Sequence, residues 1–190
     1  MLSIKGKLRA LVYLLLLVYL ILITPSCKIL NKTNRSSSKP KDTAAPISEA
    51  SFYNEYSAVL KVQLKGTEDK RLIKSLSEWL GTPYKYAGNS KQGTDCSGMT
   101  QSVFLEVYGI SLFRSSFDQL KNVEMIDKKR LEAGDLVFFI TSGNKVSHVG
   151  IYIADNKFIH ASTQRGVVIN DLDETYYKER FHSAGRVKRQ

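Results

Sequence analysis

Three short stretches of this 190-residue chain carry side chains suited to covalent chemistry: Asp95-Cys96-Ser97-Gly98, His148-Val149-Gly150-Ile151-Tyr152-Ile153 and Phe158-Ile159-His160-Ala161-Ser162. A cysteine with an imidazole nearby is the pairing that nucleophilic acyl transfer needs: the sulfur attacks, and the imidazole takes the proton and later returns it. Cys96 falls at the expected start of a helix, where unpaired N–H groups and the helix dipole favour thiolate over thiol. Gly98 leaves room there for backbone or substrate to come close. Taken singly, each residue also has a plain structural reading, since a lone cysteine is commonly a buried, inert thiol. His182 has no motif around it and is read as structural.

The two motif histidines lie on adjacent expected strands, so the turn between them decides their faces. A two-residue turn at Asp155-Asn156 puts them on opposite faces. A three-residue loop over 154–156 pairs Ile153 with Lys157 and sets His160 opposite Gly150. His160 is then diagonal to His148 on one face, with Cβ atoms roughly 7–8 Å apart. The chemistry selects the three-residue loop. His148 is then the base, and His160 hydrogen-bonds its far nitrogen, fixing tautomer and ring angle.

The surrounding pattern is that of an α+β domain. Residues 51–65 fit helix and strand equally. Thr67, followed by Glu68 and Asp69, can cap a helix in which Leu72, Ile73, Leu76, Trp79 and Leu80 recur at helical spacing as far as Gly81. Residues 82–94 read as a loop. A second helix runs from Asp95 or Cys96 to Gly109, and Ser115 can cap a short one over 115–122. Past Gly134 come short β-rich runs at 136–140, 149–153, 158–161, 167–169 and 184–187. Helices followed by an antiparallel meander imply N-terminal helices packed on one side of an antiparallel β-sheet, the layout of papain-like cysteine peptidases.

The chain opens with Lys5, Lys7 and Arg9, an apolar run over 10–23, then Ser26 and Cys27. That is the layout of a secretory signal over 1–26, and the run is short of the roughly 20 residues a spanning helix needs. A cysteine directly after such a segment resembles the bacterial lipoprotein signal, although Thr24 stands where that pattern usually has leucine. The resemblance implies cleavage before Cys27 and a lipid on its thiol. Residues 27–47, rich in serine and lysine, then form a lipidated flexible tether, and 48–190 the folded domain. The implied location is the cell envelope, with the periplasm-facing outer membrane favoured by Lys28 and the inner membrane as the alternative. A soluble secreted protein and an uncleaved signal anchor are the other readings. With Cys27 lipidated, Cys96 is a free thiol in an exported protein, which catalysis would explain.

The net charge is +10, but no basic run is interleaved with aromatics, so no nucleic-acid partner is expected. No metal-ligand spacing and no phosphate loop occur, so neither metal nor cofactor is expected. Tyr108, Phe113 and Arg114 suit a substrate groove, the core or the surface equally. Arg186, Lys188 and Arg189 read as a solvated tail.

From about Glu68 to Val187 the sequence resembles the NlpC/P60 family of cell-wall cysteine peptidases. The resemblance is carried by Gly81-Thr82-Pro83-Tyr84, Asp95-Cys96-Ser97-Gly98, Gly134-Asp135-Leu136-Val137-Phe138-Phe139, His148-Val149-Gly150-Ile151-Tyr152 and Phe158-Ile159-His160-Ala161-Ser162, in the family's order and approximate spacing. It implies a triad of Cys96, His148 and His160 working through an acyl-enzyme, and an oxyanion site made by the Cys96 N–H and the Tyr84 hydroxyl. It further implies that Asp95 and Ser97 shape the pocket or bind polar substrate groups. The implied substrate is a peptide bond of peptidoglycan stems or cross-links, and the implied form a monomer. Tyr84 reads equally well as a loop aromatic packed on a helix. Met99 stands where the family often has Phe, and Ala87 where it often has Gly. An amidase or acyltransferase of the same fold, and a non-catalytic wall-binding lipoprotein, are the competing functions.

Overall fold

The computed structural model describes residues 48–188; the leader 1–26, Cys27, the tether 27–47 and Arg189 lie outside the described residues. Ser48 caps helix α1 (Glu49–Leu60) by accepting the Ser51 N–H at 3.2 Å. A tertiary contact resolves the ambiguity of this segment. Tyr53 is buried and donates its hydroxyl proton to the Glu68 carbonyl at 2.6 Å. The buried Glu68 carboxylate accepts the N–H groups of Lys65, Gly66 and Thr67. That turn engages Thr67, so the cap of helix α2 (Lys70–Trp79) passes from Thr67 to Asp69, which accepts the Arg71 N–H at 2.9 Å.

Helix α2 buries Leu72, Ile73, Leu76 and Trp79. The stretch expected to be a plain loop holds a small hairpin, β1 (Asn89–Ser90) with β2 (Gly93–Thr94). Helix α3 (Cys96–Tyr108) begins and ends as expected, capped by Asp95 and closed by Gly109 at φ 68°. Ser115 then accepts the Asp118 N–H at 3.0 Å, opening a 3₁₀ turn over Asp118–Asn122.

Among the described residues the main sheet has six antiparallel strands: β3 (Val123–Ile126), β4 (Leu136–Phe139), β5 (His148–Ala154), β6 (Lys157–Ser162), β7 (Gly166–Asp171) and, after the short helix α4 (Thr175–Arg180), β8 (Phe181–Val187). Their order is β3-β8-β4-β5-β6-β7. Only β4 to β7 form a meander, because β8 returns to pair with β4 and the unexpected β3 is added beyond it. Arg186 on β8 is not part of a solvated tail: it binds the buried Asp135 at 2.9 Å and Glu132 at 3.1 Å.

Alternation along the strands divides the core in two. Phe138, Val149, Ile151, Ile159 and Val167 join the side chains of α1, α2 and α3. Val137, Phe139, Phe158 and Ala184 face the other way and are covered by Leu172 and Tyr177. Helices are therefore not confined to one side, since α4 supplies the second face with Tyr177.

Asp155 and Asn156 have φ of 54° and 60°, forming a two-residue turn that pairs Ala154 with Lys157. Beyond it the register slips: Tyr152 pairs with Phe158 and Ile151 with Ile159, leaving Ile153 as the extra residue of a β-bulge. The expected three-residue loop and Ile153–Lys157 pair are thus corrected. Asp and Asn tolerate left-handed backbone, so the turn closes in two residues, and the bulge restores the parity. Continuing this register sets Gly150 beside His160. A Cβ on Gly150 would stand 2.6 Å from Phe158 Cδ2, 2.8 Å from the Ile159 carbonyl oxygen and 3.2 Å from His160 Cβ. Gly150→Ala should therefore lower the unfolding free energy by about 1–3 kcal/mol, measured by denaturant titration. A loss under about 0.5 kcal/mol, the range of a neutral surface change, would refute the close packing of these strands.

Candidate active site

Asp95 organises the start of α3. Its Oδ1 accepts the Gly98 N–H at 2.7 Å and its Oδ2 the Ala87 N–H at 2.9 Å. Arg114 grips both oxygens, Nη1 on Oδ1 at 2.9 Å and Nη2 on Oδ2 at 2.7 Å. The Gly88 carbonyl accepts from Arg114 Nη2 at 3.2 Å, from Thr94 Oγ1 at 3.3 Å and from the Asp95 N–H at 3.2 Å. It lies against Gly98 where a Cβ would stand, so backbone fills the room that Gly98 leaves. Ala87 is held at φ 59°, a left-handed conformation that costs a non-glycine residue of order 1 kcal/mol or more. Ser97 Oγ donates to Asp95 Oδ1 at 3.3 Å and accepts from Arg114 Nη1 at 3.0 Å. Asp95 and Ser97 are both buried and engaged inside the protein. The buried Gln119, which no sequence motif flags, donates to the Ser97 carbonyl at 3.0 Å and steadies the same turn.

Cys96 is the first residue of α3 and is half-buried. The backbone N–H groups of Val149, Ser97 and Cys96 itself act to lower the thiol. Burial pushes it up, Asp95 adds to that, and the two outweigh the N–H groups. On balance the thiol is raised, the opposite direction from what the helix start alone favours. Tyr84 lies in a parallel bridge with Thr94. Its phenol is raised by burial, then by the proximity of Cys96 and of Asp95, so it keeps its proton and can donate.

The histidines stand on the second face of the sheet. His148 opens β5 opposite Phe139. Its Nε2 is 2.9 Å from His160 Nδ1, with the rings T-shaped at 4.8 Å. His160 is buried, stacks on Phe158 at 5.0 Å, and places Nε2 3.0 Å from Asn170 Oδ1 and 3.1 Å from the Tyr177 oxygen. Burial, then the neighbouring His160, pushes His148 down to about 3. Burial, opposed by the Asn170 hydrogen bond, pushes His160 down to about 4. Cys96 thus comes from the helix face, where its helix packs against β5, and the imidazoles from the opposite face. Asn170, Glu174, Tyr177 and Arg165 surround His160 without having been singled out from the sequence. A cavity of about 340 Å³ borders both histidines and is lined also by Thr141, Ser162, Arg165 and Tyr176. Among the described residues no group of His, Cys, Asp and Glu is arranged to hold a metal ion.

Both imidazoles titrate near 6.5 when unfolded and lower in the folded protein. The unfolded chain therefore binds more protons between about pH 6.5 and about pH 4, and stability rises with pH across that window. The contribution should be complete above about pH 6.5 and be lost as pH falls towards the folded values. Denaturant titrations at pH 7 and pH 5 should show a larger loss for the wild type than for His148→Asn. Equal losses would mean that burial does not hold His148 neutral.

A model of the NlpC/P60 family matches residues 81–186, more than half of the chain. The murein DD-endopeptidase MepS/murein LD-carboxypeptidase of Escherichia coli K12 is 41% identical over 117 residues, covering 62% of each chain. A probable endopeptidase NlpC homolog of Haemophilus influenzae is 44% identical over 119 residues, covering 63% of each. The crystal structure of an NlpC/P60 family protein from Bacillus cereus matches with a TM-score of 0.58 at 38% identity, over 62% of this chain and 39% of that one. The chain thus spans somewhat less than two thirds of the length of the curated relatives it matches. With the shared helices and antiparallel sheet, these matches establish that the chain belongs to the NlpC/P60 family.

Proposed function

We propose that this protein is a cysteine endopeptidase that hydrolyses peptide bonds in peptidoglycan stem peptides or cross-links. The observation that carries the reading is the His148–His160 pair, its ring nitrogens 2.9 Å apart on the adjacent strands β5 and β6, with Cys96 at the start of the helix packed against β5. The endopeptidase names of its relatives supply the substrate class. Cys96 attacks the carbonyl carbon while His148 takes the thiol proton, so the thiolate forms only as it reacts. The backbone N–H of Cys96 and the Tyr84 hydroxyl donate to the oxyanion. His148 returns the proton to the departing amine, and water, deprotonated by His148, resolves the thioester. His160 orients His148, and Asp95 and Ser97 shape the site. A lipid on Cys27 and the tether 27–47 would hold the monomeric domain at the envelope membrane, favouring the periplasmic face of the outer membrane.

The full chain in mild detergent, incubated with purified sacculi, should release peptides with new termini, identified by mass spectrometry. Cys96→Ala should release none, and Tyr84→Phe should lower kcat by roughly 10²–10³-fold, the usual loss of one oxyanion donor. Silence from the wild type on sacculi and on soluble muropeptides, despite a thiol that reacts with iodoacetamide, would sink the peptidase reading. In fractionated cells the chain should travel with membranes and Cys27→Ser should not; identical fractionation would remove the lipid anchor.

A further inference from the structure

We propose that Glu174, acting through Asn170, sets the proton positions on both imidazoles and is thereby a positioning residue for the Cys96–His148 pair. The proposal rests on reading Cys96 as nucleophile and His148 as base, and it follows from which atoms can donate and which can only accept.

The two Glu174 carboxylate oxygens accept from Asn170 Nδ2 at 2.9 and 2.7 Å, and Oε1 also takes the Asp171 N–H at 2.9 Å. A carboxylate only accepts and a guanidinium only donates. Arg165 Nη2 lies 3.0 Å from Asn170 Oδ1. Together they allow the Asn170 amide one orientation, with Nδ2 towards Glu174 and Oδ1 towards His160. The Asn170 oxygen has no proton to give, so the His160 nitrogen 3.0 Å away, Nε2, must carry one. The Tyr177 oxygen, within reach of the same N–H, serves as its second acceptor. A neutral imidazole has a single N–H, so His160 Nδ1 is bare and accepts. His148 Nε2, 2.9 Å from it, is then the donor. His148 Nδ1 is left bare, the one state in which that nitrogen can take the Cys96 proton.

With the opposite Asn170 orientation every step inverts. Nδ2 would donate to His160 Nε2, His160 Nδ1–H would donate to His148 Nε2, and His148 Nδ1 would carry a proton towards the thiol. Enforcing the wrong tautomer outright costs a Ser–His–Asp triad about 10⁴ in kcat. Arg165 still favours the working orientation when Glu174 is altered, so the expected loss is smaller, roughly 10–100-fold.

The test compares the wild-type full chain with Glu174→Gln and with a double variant that combines Asn170→Asp with Glu174→Gln. In the double variant the carboxylate introduced at position 170 only accepts, so the His160 Nε2–H is restored whatever the amide introduced at position 174 does. Imidazole ¹⁵N shifts distinguish Nδ1–H from Nε2–H and need no activity. Glu174→Gln should show a mixture of His160 tautomers and a roughly 10–100-fold lower kcat at unchanged KM. The double variant should recover the wild-type ¹⁵N pattern and most of kcat. Unchanged tautomers in Glu174→Gln, shifted tautomers with unchanged kcat, or no recovery in a folded double variant would each overturn the proposal. Should Glu174→Gln not fold, Asn170→Leu removes the acceptor, leaves Glu174 in place and carries the same expectation. If the wild type cleaves no peptide at all, the ¹⁵N readout still tests the proton placement, so that failure is distinguishable from failure of the peptidase reading.

Discussion

A single buried carboxylate, that of Asp95, holds the start of α3, the loop before it and Arg114 together. Burying a carboxylate is tolerable only when its oxygens are paired and hydrogen-bonded. Here the partners come from three places in the chain: the Gly98 N–H at the helix start, the Ala87 N–H in the loop and the Arg114 guanidinium. Satisfying that one group therefore ties the start of α3, and with it Cys96, to the loop at Ala87. It also opposes ionisation of the neighbouring thiol. Burial raises that thiol first and Asp95 adds to it, and in the proposed mechanism its activation comes from the imidazole.

That imidazole belongs to a different part of the structure. His148 and His160 share the second face of the sheet with Phe139, Phe158 and Tyr177. This small aromatic cluster buries His160 and partly shields His148, which favours the neutral forms of both rings. Helix α4 is too short to matter for the main core. It closes this second face with Tyr177, and Glu174 precedes it within reach of Asn170. Two modest cores, one on each side of the sheet, thus deliver the two halves of the site to the end where β5 begins.

Between them, the β5–β6 ribbon decides whether the histidines meet at all. Side chains alternate with period two, so one residue gained or lost sends His160 to the far side. The Asp155-Asn156 turn alone would have done so, and the bulge at Ile153 reverses it. Gly150 then allows the strands to lie close enough for the 2.9 Å contact, because any side chain there would strike Phe158 and the Ile159 carbonyl.

What the sequence determined by itself was local. Asp95 ahead of Cys96 and Gly109 after Tyr108 mark the ends of α3 because caps act over three or four residues. The strands from β4 onward show in their apolar periodicity, and Cys96, His148 and His160 stand in short motifs that resemble one family. The tertiary structure decided what depends on residues distant in sequence. Glu68 is tied through its carbonyl to Tyr53 on α1, and β3 pairs with β8. The acceptor for His160 is Asn170, an unremarked residue on another strand, and the ion-pair partner of Asp95 is Arg114. The reason is physical: a buried polar group must find a partner, but nothing in its neighbourhood along the chain says which distant group folding will bring within 3 Å.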